Sequence, residues 1–512
     1  MKDNNYEEVL GVMPQSFWLA STENYNFPAL REDIHVDVAL VGGGMVGITT
    51  ALLLKKEGLK VAVLESDAIL QGTTGHTTAK ITSQHGLIYD KIKGQMGEEK
   101  AKQYAEANES AIQMISELIE ENDIDCDFSW QPAYVYTQSD AYVQKIIDET
   151  KTASALGIMA SYLEDIPLPF SVKAAMRFDG QAQFHPRKYL LSLAKKIHGD
   201  GCAIFEKTKA VDIQEGAAPT VITAGGNKVT SSYVIIASHY PFYDKPGLYF
   251  SRIYPKRSYV LGIIIKEKFP LGMYINAEEP ARSLRCQSFE NRELILVGGE
   301  HHKTAHGKST TTHYKNLMDF AHETFQVERI FYRWSTQDGH TPDGVPYIGQ
   351  LAPATPNIFV ATAFHKWGMT NSTASAMILK DLIVKGENPW APVYQPSRIT
   401  PSITAAASFV KENVDVAINF VSGKLMSSTP EIEKKIQPNE GKVMEVDGKR
   451  IGAYRDKNGK LHLVDTTCTH MYCELQWNDA ETTWDCPCHG SRFSPEGDVI
   501  EGPALEPLTK LN

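Results

Sequence analysis

Positive charge is in deficit in this chain: 51 Lys and Arg stand against 62 Asp and Glu in 512 residues, a formal net charge of −11. Nucleic acid and anionic membrane both select basic surfaces, so neither is expected as a main partner. No run of 18 apolar residues occurs, and the opening MKDNNYEEVLGVMPQSFWLAS lacks a charged segment followed by a long apolar one. These absences predict a cytoplasmic protein without an integral membrane segment. Cysteine is scarce, seven in all. Cys126, Cys202 and Cys286 are scattered without metal-ligand spacing and read as core or surface thiols, whereas the other four fall between positions 468 and 488. What the chain does have is length and apolar content, 42% hydrophobic, enough for a large core divided among about three domain-sized units.

The stretch IHVDVALVGGGMVGITTALLLKKEGLKVAVLES reads as strand, glycine turn, helix and strand. Gly42, Gly44 and Gly47 form G-x-G-x-x-G, in which the turn lets backbone approach a pyrophosphate at a helix N-terminus. Glu65, 23 residues after Gly42, stands at the end of the second strand, placed to accept ribose hydroxyls. A free ribose fits FAD or NAD rather than NADP. No second glycine unit with a following acid exists for a nicotinamide, so electrons are expected to enter from an organic substrate.

The middle of the chain decides for FAD. DGQAQFHPRKYLLSLAKKIHGDGCAIFEKTKAVDI with SSYVIIASHY, then RWSTQDGHTPDGVPYIG (333–349) and FVATAFHKWGMTNSTASAMILKDLI (359–383), resembles the D-amino-acid-oxidase-like flavoproteins, glycine oxidases among them. The resemblance spans about 35–390. It implies that Val211 contacts the adenine side, and that the Pro-Asp-Gly turn at Asp343 and Gly344 and the helix start at Gly368, Met369 and Thr370 bring backbone N–H groups toward the flavin. The loop GTTGHTTAK (72–80), with Thr73 and Thr74, would lie along the pyrophosphate and flavin. His76 stands where some amine dehydrogenases of this family attach the flavin covalently, but the tryptophan those members carry is Gly75 here, so a hydrogen-bonding histidine is expected. Lys366 would place positive charge near flavin N1, or be a solvated lysine. Arg285 could anchor a substrate carboxylate and Tyr259 line the pocket, unless both are ordinary sheet residues. His301, His302 and His306 lack thiols or carboxylates in register and read as a polar loop.

Near the end, CTHMYC and WDCPCHGSRF combine into C-x-H, fifteen residues, then C-x-x-H. Two thiolates and two imidazoles suit a tetrahedral zinc or a Rieske [2Fe-2S] centre, and free core thiols are the plain alternative. Cys473 and Cys488 remain after four ligands are assigned, Gly490 and Ser491 offer a tight turn and a hydroxyl for a cluster sulfur, and EGPA (501–504) supplies a covering loop. The set resembles the Rieske proteins of the cytochrome bc type over roughly the last 75 residues. That resemblance implies Cys468 and Cys486 on one iron, His470 and His489 on the other, and a disulfide between Cys473 and Cys488. Phe493 stands where high-potential members carry a tyrosine that donates toward a cysteine sulfur, so the potential is expected below the top of the range of roughly −150 to +300 mV. Met471 and Tyr472 replace the usual Leu-Gly.

Together these imply an α/β, Rossmann-like, three-layer FAD-binding domain, an α+β substrate domain on an antiparallel sheet, and a small all-β Rieske domain. The expected boundaries are an N-terminal segment, 1–34; an oxidoreductase region, 35–390, with FAD-binding parts 35–83, 179–249 and 333–385 and substrate parts 84–178 and 250–332; a linker, 391–436; and a cluster domain, 437–512. The linker is proline-rich to 402, then amphipathic, with Phe409, Val410, Val414, Ala417, Ile418 and Val421 on one stripe that would pack one domain on the other. The expected function is a flavin-dependent dehydrogenase that oxidises an amine or amino acid and passes electrons through its own cluster to a carrier such as a ferredoxin or cytochrome. The alternatives are a reductase fed by a ferredoxin, and a redox module that binds no substrate.

Overall fold

The computed structural model describes residues 2–307, 309–398, 436–446 and 449–511. The amphipathic stripe expected from 409 to 421 lies outside them.

Ile34–Val41, Val61–Leu64, Ala203–Phe205, Lys228–Ile236 and Ile358–Thr362 pair in parallel and form the centre of an eight-stranded sheet. The strands are short and Val/Ile-rich because both faces are covered, as in parallel sheets generally. Val61–Leu64 is buried at every position. Met45–Lys56, buried from Met45 to Leu54, follows the glycine turn and packs against Gly368–Val384.

A second eight-stranded sheet runs Val327–His340, Tyr254–Ile265, Arg292–Lys303, Arg282–Phe289, Met273–Asn276, Ala133–Thr137, Ala174–Phe178, Ala160–Leu163. All its pairings are antiparallel except that of Met273–Asn276 with Ala133–Thr137. Both faces of its central strands are buried, so their period-2 alternation sorts residues between two cores. Tyr259, Leu261 and Ile263 join the core under the helix Thr311–Thr324, while Val260, Ile264 and Trp334 join the core shared with the first sheet. The longest helix among the described residues, Glu98–Glu121, buries Ala101, Tyr104, Asn108, Ala111, Ile115 and Leu118 at helical spacing. No helix among the described residues is long and apolar enough to cross a membrane.

The C-terminal unit is all-β. Gly441–Val446, Lys449–Arg455 and Leu461–Asp465 form one antiparallel sheet, and Gln476–Asn478, Thr483–Asp485, Arg492–Phe493 and Val499–Glu501 form another. Trp484, Leu475, Phe493 and the four clustered cysteines fill its core. Polar contacts fix this unit to the rest of the chain: Asp479 accepts from Ser309, Thr310 and Thr311, Tyr314 donates to Glu481 at 2.8 Å, and the buried Arg257 faces Asp485 at 3.7 Å.

Candidate functional site

The glycine turn has no room for side chains where the spacing predicts none. A Cβ on Gly47 would stand 1.9 Å from the Gly42 carbonyl oxygen, and one on Gly42, where φ is +116°, would stand 2.5 Å from the Ala237 carbonyl oxygen. Glu65 sits behind the turn. Its Oε2 accepts from the Gly43 amide at 2.8 Å and its Oε1 from Ser66 and Asp67. Burial pushes its carboxyl up, against the pull of these donors. The Thr208 amide donates to the Glu65 carbonyl, which brings half-buried Val211, at the irregularity between Ala210 and Asp212, close to the same strand end.

The loop after Glu65 turns as a short helix, Thr73–His76. Thr74 Oγ1 accepts from the Met45 amide at 3.2 Å, tying the loop to the helix start. His76 Nδ1 donates to the Gly72 carbonyl at 2.9 Å. Sequence reasoning missed the role of the N-terminal segment here: Ser16 Oγ donates to the Gly75 carbonyl and Trp18 Nε1 to that of Thr77, so residues before the first strand brace this loop. Ser16, which caps the short helix Phe17–Ala20, was the available signal. The first-turn amides at Gly368, Met369 and Thr370 have no acceptor within their helix, and a Cβ on Gly368 would meet nothing within 4 Å. Two helix N-termini, glycines that admit close approach and an acid at the strand end fit an FAD.

Two expectations left a choice open and two need correction. Arg285 takes the place of the ordinary sheet residue, the second of its two readings: it is fully buried and its donors go to the carbonyls of Cys286, Thr78 and Ala79 and to Gln287, so it braces the loop 72–80 from the sheet. Tyr259 is buried on the opposite face from Val260, its hydroxyl 3.0 Å from His302 Nε2, so it lines no pocket toward the nucleotide sheet. The Gly344 and Val345 amides are taken inside their own turn by Thr341 Oγ1 and the Asp343 carboxylate, and Asp343 is held by a two-pronged contact from Arg398 at 2.8 and 2.9 Å. His301 and His302 belong to a strand rather than a loop, and His302 stacks on His313 at 4.2 Å. Lys366 is partly buried, and burial pushes its ammonium down to about 7, with Asp338 favouring and Lys256 opposing the charged form.

In the C-terminal unit the four expected ligands come together two by two. Cys468 and Cys486 are both buried and act on each other: Cys486, the His470 amide and the Ser491 hydroxyl push the Cys468 thiol down to about 6 against its burial, while Cys486 is pushed up, chiefly by Cys468. The His470 and His489 rings lie 5.0 Å apart and nearly perpendicular. Among the described residues no three of these four bring ligand atoms within 4.8 Å of one another, whereas the Cys486 sulfur is that close to both Cys473 and Cys488. A tetrahedral ion at Zn–S of about 2.3 Å would need all four closer than this; a centre with two irons separates a sulfur pair from a nitrogen pair.

Each ligand loop is closed by its own backbone. The Cys468 amide donates to the Cys473 carbonyl at 2.9 Å and the Cys486 amide to the Ser491 carbonyl at 2.8 Å, with Gly490 at φ +82° making the turn. A disulfide joins Cys473 to Cys488 beside them. His489 is buried, neither ring nitrogen has a well-formed hydrogen bond, and burial then His470 hold its imidazole down to about 4. His470 Nδ1 is likewise buried without a partner. Buried polar atoms are normally satisfied; orphaned imidazole nitrogens beside a sulfur pair are what a metal centre would complete.

Residues 37–382 match the family model for FAD dependent oxidoreductases of the DAO type, and residues 431–512 match the Rieske [2Fe-2S] domain. The chain belongs to the DAO family of FAD dependent oxidoreductases and carries a Rieske domain. Over 501 residues, 98% of each chain, it is 46% identical to the putative Rieske 2Fe-2S iron-sulfur protein YhfW of Bacillus subtilis (strain 168). It is 27% identical to the gamma-glutamylputrescine oxidoreductase of Escherichia coli (strain K12) over 396 residues, 72% of this chain and 88% of that one. The glycine oxidase of Geobacillus kaustophilus shares the fold, with a TM-score of 0.59 at 20% identity, over 71% of this chain and 99% of that one. The family binds FAD and the Rieske domain a [2Fe-2S] cluster.

The Rieske domain turns its histidines inward, which the sequence does not announce. Tyr240 contacts both His470 and His489 at 6.3 Å between rings, and Phe250 contacts His489 at 6.4 Å. Asp244 Oδ2 lies 3.1 Å from His470 Nε2. All three residues follow the central strand Lys228–Ile236 of the nucleotide sheet.

Proposed function

We propose that this oxidoreductase is a dehydrogenase that oxidises an amine or amino acid and delivers the electrons one at a time, through its own Rieske centre, to an external carrier such as a ferredoxin or cytochrome. Cys468 and Cys486 would hold one iron and His470 and His489 the other. Gly42, Gly44, Gly47, Glu65, Thr73, Thr74, Val211 and the helix start at Gly368 would hold the FAD, and Lys366 would lend positive charge beside it. A flavin takes two electrons together from a C–N or C–H bond and a [2Fe-2S] centre takes one, so a chain with both can turn hydride chemistry into single-electron steps.

One observation carries the reading: the segment that closes the glycine turn also touches the cluster ligands. Gly42 packs on Ala237, and three residues later Tyr240 meets both histidines. The relatives named for gamma-glutamylputrescine and glycine support an amine or amino acid as substrate.

The test is an anaerobic screen of amines and amino acids that follows flavin absorbance and the cluster signal in one sample. With a true substrate the flavin bleaches first and the cluster is reduced next. In Cys486→Ser the bleaching persists at a similar rate while turnover with a one-electron protein acceptor collapses. Equal turnover by that variant takes the cluster off the electron path. A flavin that no substrate bleaches, but that reduced ferredoxin bleaches through the cluster, reverses the direction of flow.

A further inference from the structure

Asp244 lies on the segment leaving the central strand of the nucleotide sheet, 226 residues before His470 in sequence, yet its carboxylate meets that imidazole at 3.1 Å. It is buried, 6% exposed, and among the described residues no lysine or arginine pairs with it. A buried carboxylate is ordinarily matched by a cation or several donors. Here the donor given to it is one ring nitrogen of a proposed iron ligand. The other ring nitrogen, Nδ1, is buried and unpartnered. His489 differs, since neither of its nitrogens has such a partner.

We infer that Asp244 is a positioning residue for the cluster: its carboxylate accepts from His470 Nε2–H, fixes the tautomer that presents Nδ1 to iron, and holds the reduction potential below the value the Rieske domain would have alone. The physical chain is short. A carboxylate hydrogen-bonded to the outer nitrogen of a ligating imidazole fixes ring orientation and makes the ligating nitrogen more basic. A more strongly donating ligand, with a negative charge behind it, favours the oxidised iron. Because Asp244 belongs to the oxidoreductase region, the potential is set across the boundary between the two parts of the chain, and the two histidines become inequivalent. The inference rests on His470 as an iron ligand; it does not depend on the substrate or on the direction of electron flow.

The experiment is a redox titration of the cluster in the holoenzyme, followed by electron paramagnetic resonance, in the parent, Asp244→Asn and Asp479→Asn. Asn keeps an acceptor and removes the charge. Asp479 also ties the two parts together, through Ser309, Thr310 and Thr311, but its hydrogen bonds go to none of the cluster histidines. Asp244→Asn should shift the reduction equilibrium toward the reduced cluster about tenfold, about 59 mV upward for one electron. Asp479→Asn should leave it in place. Pulsed measurements on the parent should show two distinct outer histidine nitrogens, which converge in Asp244→Asn. An unshifted potential in Asp244→Asn, or an equal shift in Asp479→Asn, overturns the inference. Should Asp244→Asn fail to hold its cluster, equivalent outer nitrogens in the parent overturn it alone. A parent without any Rieske signal would instead remove the ligand assignment beneath it.

Discussion

Gln337 donates from Nε2 to the Gly490 carbonyl at 2.8 Å, while its own backbone carbonyl accepts from Thr73 Oγ1 at 3.4 Å. One residue of the long strand Val327–His340 therefore touches the loop expected along the flavin and the loop that carries His489. Its Oε1 is held in turn by Thr304 at 2.8 Å, so the side chain is fixed at both ends.

Gly490 is matched to this contact. A Cβ there would stand 2.5 Å from Gln337 Nε2, on a residue at φ +82°. Gly490→Ala should cost about 1–2 kcal/mol for the left-handed backbone alone and should displace Gln337 as well. The expected result is a lower melting temperature for the Rieske domain and slower reduction of the cluster after the flavin bleaches, read by stopped-flow absorbance. Gln337→Met adds no backbone strain but leaves the Gly490 carbonyl and the Thr304 hydroxyl without this buried partner, so it should slow the second phase and cost about 1–3 kcal/mol of stability.

Local chemistry was legible in the sequence and long-range chemistry was not. The G-x-G-x-x-G turn and the two cysteine–histidine loops are short enough for spacing to point to their chemistry, whereas the Thr73–His76 loop was read from the family resemblance. Asp244, Tyr240, Phe250 and Gln337 have no such signature, because each acquires its role from a neighbour more than 150 positions away that only docking of the two parts brings near. For Arg285 and Tyr259 the sequence left two readings open, a pocket residue or an ordinary sheet residue, for a related reason. Both alternate along strands whose two faces are buried, so the pattern of the strand cannot say which face meets the nucleotide sheet.

Ser491 offers a direct test of sulfur tuning. Its Oγ accepts from the Ala504 amide at 3.0 Å, which leaves the hydroxyl proton for Cys468, and contact with that hydroxyl already lowers the Cys468 thiol. A hydrogen bond to a cluster sulfur favours the more negative, reduced state. Ser491→Ala should lower the midpoint by tens of millivolts, about 59 mV if the equilibrium moves tenfold. Phe493→Tyr, which restores the donor of the high-potential members, should raise it. Redox titration of both variants checks the pair, and opposite signs are required.

The disulfide should matter to the cluster before it matters to the rest of the chain. Cys473 and Cys488 are separated by 15 positions and link the two ligand loops directly. Closing a loop of that size limits the unfolded ensemble by about 3 kcal/mol. Cys473→Ser should lose the visible circular dichroism of the cluster at a lower temperature or denaturant concentration than the parent. The transition of the flavin-binding part, followed by flavin fluorescence, should stay where it was.

Lys80 gives the last expectation, in the dependence of stability on pH. The short strand Lys80–Ile81 carries its ammonium inward, where it donates to the Tyr274 carbonyl at 2.9 Å and to Ser283 Oγ at 2.6 Å, and among the described residues no carboxylate pairs with it. Burial, then the neighbouring Arg285, push it down to about 7 from an ordinary value of 10.5. Between those two values the unfolded chain holds a proton that the folded chain does not, so stability rises with pH across this window and the gain is lost as pH falls toward 7. From pH 7 to pH 9 the penalty for folding this lysine should shrink by about 2 kcal/mol. Lys80→Met carries no proton in either state and should flatten that part of the curve, while leaving the dependence below pH 6 unchanged. Chemical denaturation at pH 7, 8 and 9 measures the difference, and parallel curves for parent and variant would mean that Lys80 keeps its proton when the chain folds.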